Sequence, residues 1–148
     1  MQTPAPAQTQ ASPQTPAQPS TPSTSPDAES NLSYFAGSWA NVDPSTNGIT
    51  RIQIRVSGSS TYVHAWAKCR PTDCDWGEVK AEGYASNVGS RTTPGIRLVS
   101  AEFKNNVRRT AVSIHPAPND RIRVEAQIDF VDQSGRAPIA RMFLFHRM

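Results

Sequence analysis

Residues 121 to 130 read RIRVEAQIDF, and their alternation decides the fold class. Arg121, Arg123, Glu125, Gln127 and Asp129 alternate with Ile122, Val124, Ala126, Ile128 and Phe130. A period of two over ten residues puts the polar set on one face of a strand and the apolar set on the other. The same pattern recurs in RIQIRVS at 51 to 57, where Arg51, Gln53 and Arg55 alternate with Ile52, Ile54 and Val56.

Working outward from these two strands, the pattern predicts eight: 35 to 41, 49 to 57, 61 to 69, 75 to 84, 95 to 104, 107 to 115, 121 to 131 and 137 to 147. Turn residues punctuate them as DPSTNG, GSS, RPTD, SNVGSRTTP, NN, PAPND and DQSG. Every connection is short enough for antiparallel neighbours and too short for a crossover helix. Eight consecutive antiparallel strands leave two open edges unless the sheet closes, so the expected fold is all-β, an eight-stranded up-and-down barrel.

The first thirty residues do not join this domain. They carry no charge before Asp27 and hold seven of the 13 prolines, with Gln, Thr, Ser and Ala making up most of the rest. Such a stretch has too little apolar surface to offset its ordering entropy, and a disordered tail or linker is expected over 1 to 30, followed by a barrel domain over 31 to 148. No apolar run is long enough for a membrane helix, and none follows Met1 as a signal sequence would. Uncharged Pro/Thr/Ser/Gln tracts are typical of spacers beside exported domains. A secreted or periplasmic protein whose leader has been removed is therefore expected, with a cytoplasmic one as the alternative.

The net charge of +3 comes from 15 basic against 12 acidic residues, spread along the domain. Only Arg108 and Arg109 are an adjacent basic pair. Neither a basic stripe nor a nucleic-acid motif is visible, so no nucleic-acid partner is expected.

The densest chemistry lies in AKCRPTDCDWG, residues 67 to 77, which holds both cysteines. With Arg70-Pro71-Thr72-Asp73 as a turn, Cys69 faces Cys74, and the next pairs are 67 with 76, 66 with 77, 65 with 78 and 64 with 79. Directly opposed cysteines have nearly the separation of a disulfide, which is the expected state. Reduced thiols and metal or redox use are the alternatives, and the C-x4-C spacing lacks the C-x-x-C pattern of the latter.

The same register turns Gly77, Val79, Ala81 and Gly83 inward, and with them Tyr62, His64 and Trp66, which then line a ligand pocket or fill the barrel's taper. Trp76 falls on the outer face, a candidate surface contact. Asp73 and Asp75 are read as turn caps, Asp73 through an Asx-type bond. His64, His115 and His146 sit on three strands with no serine elbow, so no catalytic residue, metal or cofactor is assigned. Asn31-Leu32-Ser33 is formally a glycosylation sequon.

The first strand, Gly37-Ser38-Trp39-Ala40-Asn41, resembles the G-x-W opening of the calycin barrels, lipocalin and avidin-like, and is similar to the first strand of avidins. The resemblance implies a tryptophan, Trp39, packed across the closed end, with a last-strand cation, Arg141 or Arg147, over the indole. Residues 34 to 86 also resemble small exported bacterial proteins with a C-x-P-x-D-C-D-W-G hairpin, which implies an exported domain and supplies no activity.

The expected function is a non-catalytic binding module of an exported bacterial protein. It holds a small molecule or glycan in the barrel or at its mouth through Tyr62, His64, Trp66, Trp39 and Arg141, and a protein partner or self-association is a further candidate. The runner-up is a secreted protease inhibitor: bacterial metalloprotease inhibitors resemble this outline, with AGSW near the start and a stem matching Ser30 to Tyr34. A small enzyme of unknown reaction is third.

Overall fold

The computed structural model describes residues 32–85 and 95–148. The tail over 1 to 30, Asn31 and the whole SNVGSRTTP connection lie outside the described residues. A short helix α1 (Leu32–Phe35) precedes β1 (Gly37–Asn41), β2 (Ile49–Ser57), β3 (Ser60–Ala67), β4 (Cys74–Ala85), β5 (Ile96–Lys104), β6 (Arg108–Ala117), β7 (Arg121–Phe130) and β8 (Ile139–Arg147). Each strand pairs antiparallel with the next, and β8 returns to β1 through Trp39↔Arg147, Ala40↔His146 and Asn41↔Phe145. The sheet is a closed eight-stranded barrel with no free edge.

Alternation along the strands fills the interior. Ile52, Ile54, Val63, Ala65, Val99, Val112, Ile114, Ile122, Val124 and Phe145 are all buried, packed around Trp39 and Phe35. Each large ring removes about 150–250 Å² from water, roughly 4–6 kcal/mol of gross burial before conformational entropy is set against it. Tight turns suit their residues. Asn119 and Asp120 both take positive φ in the β6–β7 hairpin, and Gly58 does so between β2 and β3.

Four expectations about the β3–β4 hairpin are overturned. Cys69 does not oppose Cys74: the ladder ends at Ala67↔Cys74, and residues 68 to 73 form a loop from which Cys69 reaches across to bridge Cys74, with Cα atoms 5.3 Å apart. Lys68 N donates to Gly48 O and the Thr50 hydroxyl donates to the Asp73 carboxylate, so the loop is tied to the chain around the start of β2. Asp73 is thus not an Asx cap; that geometry belongs to Asp75, whose Oδ1 accepts from Gly77 N.

Tyr62, His64 and Trp66 point outward. Thr61, Val63, Ala65 and Ala67 are the buried set of β3. Their partners on β2 dictate this, because Arg51↔Trp66, Gln53↔His64 and Arg55↔Tyr62 are directly opposed, and opposed residues share a face. With Ile52 and Ile54 inside, the arginines and the rings facing them must lie outside.

Trp76 points inward. The pairing shifts from His64↔Glu78 to Trp66↔Asp75, which leaves Trp76 and Gly77 together opposite Ala65, a β-bulge. Gly77 supplies φ +84°. Beyond the bulge Val79, Ala81 and Gly83 face the interior as expected; before it the phase reverses and Trp76 packs on the core and Phe103.

Candidate functional site

In an up-and-down barrel the connections alternate between the two ends. Among the described residues, one end receives α1 and the β2–β3 and β6–β7 connections, and it is plugged. Phe35 and Trp39 are fully buried there, and Trp39 Nε1 donates to Phe35 O at 2.9 Å. Arg147 lies over the indole, 4.1 Å from Cζ to the ring centroid, and donates to Ala36 O, Tyr34 O and the Asp120 carboxylate. Tyr34 in turn donates its hydroxyl to Arg121 O at 2.6 Å, and burial, reinforced by Asp120, pushes the phenol's pKa up. The last-strand cation over Trp39 is therefore Arg147.

The other end gathers the β1–β2, β3–β4, β5–β6 and β7–β8 connections around a cavity of about 280 Å³. Its floor and walls are apolar: Ile49, Ala67, Ala126, Ile128 and Phe143, with Trp76 and Phe130 at the sides. Small side chains at Ala67 and Ala126 and the missing one at Gly48 leave this space. A Cβ at Gly48 would stand 2.5 Å from Phe143 Cζ.

Around this floor stand Lys68, Arg108, Arg136 and Arg141, and among the described residues no acidic one lines the cavity. The three arginines are each held over a ring of the same mouth: Arg108 over Trp76 at 5.4 Å, Arg136 over Phe130 at 4.0 Å and Arg141 over Phe143 at 4.9 Å. Arg136 also pairs with Asp132 at 2.8 Å, and Arg141 donates to Asn47 Oδ1 at 2.9 Å. Hydrogen bonds from Ser134, and then Arg136, hold the Asp132 carboxyl below its ordinary range. A smaller hollow of about 130 Å³ shares Trp76 and Arg108 as a wall and contains Asp75, Phe103 and Thr110.

No family model, curated protein or solved structure matches the chain.

The residues read as a pocket from the sequence thus separate. Arg141 stands at the mouth, Trp39 is part of the plug, and Tyr62, His64 and Trp66 form a strip on the outer face of β3. On that strip His64 stacks on Trp66 at 3.9 Å with the rings within 7° of parallel; Arg51 covers Trp66 at 3.8 Å, and Arg55 covers Tyr62 at 4.2 Å while pairing with Glu78. His64 Nε2 is hydrogen-bonded to Asp75 Oδ1, whose carboxyl is held low first by the Gly77 amide and then by His64.

Sequence reading missed Lys68, Arg108, Arg136 and Phe143 as site residues. The signal was present in the topology: once the strands form a meander, the connections at 42–48, 68–73, 105–107 and 131–138 must share one end, and the cations flank them. Among the described residues no group of three or more His, Cys, Asp or Glu is placed to hold a metal ion, and no helix is long and apolar enough to cross a membrane. The disulfide is compatible with an extracellular or periplasmic location.

Proposed function

We propose that the chain is a non-catalytic binding module of an exported bacterial protein, holding a small molecule at the open mouth of its barrel. The observation that carries this reading is the contrast between the two ends: one is plugged by Phe35, Trp39 and Arg147, and the other opens on an apolar cavity of about 280 Å³. That size is at the lower edge of ligand sites, roughly 300–1,000 Å³, and apolar walls with a few polar groups are their usual composition. The Arg147–Trp39 contact and the G-x-W strand support a calycin-type barrel.

The inhibitor reading fits less well. Its stem would include Tyr34, which is hydrogen-bonded to the β6–β7 turn while its own carbonyl accepts from Arg147.

The test is a thermal-melt screen of sugars, lipids and small aromatic acids and bases. A ligand at 100 times its Kd stabilises the fold by about 2.7 kcal/mol. Hits are expected to weaken with Trp76→Ala and to persist with Trp66→Ala; the reverse pattern would move the site to the outer strip and overturn the reading.

A further inference from the structure

Resting on that reading, we infer that the mouth selects an organic anion: a carboxylate, sulfonate or phosphate monoester carried on a compact apolar body and taken from free solution. The cavity offers two chemistries in layers. Its floor, with Ile49, Ala126, Ile128 and Phe143, accepts apolar surface and offers no charge. Among the described residues its rim carries four cations and no carboxylate.

The balance of charge decides the sign of the ligand. Asp132 neutralises Arg136. Among the described residues, no carboxylate forms an ion pair with Lys68, Arg108 or Arg141. Asp75, which shares the smaller hollow with Arg108, is held by His64 and the Gly77 amide instead. Cations around a low-dielectric floor focus a positive potential into the cleft.

Geometry adds selectivity. A guanidinium over an aromatic ring uses its face for that contact and keeps its in-plane donors for a planar or tetrahedral oxyanion. Arg108 and Arg141 stand with Cζ 5.4 and 4.9 Å from the Trp76 and Phe143 ring centroids, and Arg141 spends one nitrogen on Asn47. A neutral ligand would reach the floor but leave these donors to water. A nucleic acid would need a longer basic track than one mouth provides.

The experiment compares two fluorescent probes of nearly the same body on the full chain: 1-anilinonaphthalene-8-sulfonate, an anion, and N-phenyl-1-naphthylamine, which lacks the sulfonate. The sulfonate is expected to bind about tenfold or more tighter, with affinity falling as salt is raised. Arg108→Gln and Arg141→Gln are each expected to weaken the sulfonate roughly fivefold to tenfold while leaving the neutral probe within about twofold. Arg109→Gln is the control, since it removes the same charge from an exposed residue that does not line the cavity. Melting curves establish that each variant is folded. Equal binding of the two probes, lost in both cases with Trp76→Ala, overturns the anion inference and leaves the mouth as the site. An Arg109→Gln effect as large as that of Arg108→Gln also overturns it, as a general charge effect. Binding of neither probe, or binding indifferent to Trp76→Ala, overturns the mouth reading as well.

Discussion

The guanidinium of Arg147 lies 4.1 Å over the indole of Trp39, so a residue at the end of the last strand covers one from the middle of the first. Trp39 and Arg147 are also cross-strand partners in the ladder that closes the barrel. The side chain that covers the plug and ties down α1 thus sits on the seam where the barrel closes.

Arg147→Met removes a cation from the indole and the donors to Ala36 O, Tyr34 O and Asp120. The expected loss is about 2–3 kcal/mol in urea unfolding, in the range for hydrogen bonds to charged groups. Arg147→Lys is expected to recover less than half of it, because one ammonium cannot stack on the ring and span those acceptors together. Full recovery by lysine would show that charge alone matters.

Gly77 holds φ +84° in the bulge that turns Trp76 inward. Gly77→Ala is expected to cost about 1–2 kcal/mol, the penalty of a left-handed conformation for a residue with a Cβ. Relief of that strain by loss of the bulge returns Trp76 toward the outer face, and the emission of a variant with Trp76 as its sole tryptophan should move to the red. An unchanged emission and unchanged stability would mean that the bulge does not set the orientation of Trp76.

Gly48 lies against Phe143, and an added Cβ would come within 2.5 Å of the ring. Gly48→Ala pushes Phe143, together with the Arg141 guanidinium above it, out of the cavity wall. A loss of roughly 1–3 kcal/mol is expected from this overpacking, with weakened binding of any mouth ligand. Calorimetric titration of a hit from the melt screen reads the second effect, and wild-type affinity in a folded variant would exclude Phe143 from the site.

Asp75 is held below its ordinary pKa of 3.8 by the Gly77 amide and by His64. The folded state therefore binds this proton less readily than the unfolded chain does. Its contribution is present above the unfolded value and is lost as pH falls from there through the lower folded one. Asp75→Asn is expected to flatten the stability curve below about pH 4, and His64→Ala to flatten it only in part, since the amide is the larger cause. Urea midpoints between pH 6 and 2 measure both, and parallel curves for wild type and Asp75→Asn would remove Asp75 from the acid limb.

By itself the sequence determined which segments are strands, how many there are and that neighbours run antiparallel, because alternation and turn residues act within a few positions of each other. It also brought Cys69 and Cys74 close enough to bridge. What it left open was the phase of β3. Thr61, Val63, Ala65 and Ala67 alternate with Tyr62, His64 and Trp66, and either set can be the inner one when the outer rings find arginines to cover them. A register counted back from the Cys69 turn chose the wrong set, since a slip of one residue exchanges the faces of a strand. The Gly58-Ser59 hairpin, which aligns Arg51 with Trp66, carries the right one. Only the closed barrel could place Lys68, Arg108, Arg136 and Arg141 around one cavity and choose Arg147 to cover Trp39. Those residues come from separate connections and strands, and nothing local in the chain encodes which of them share an end.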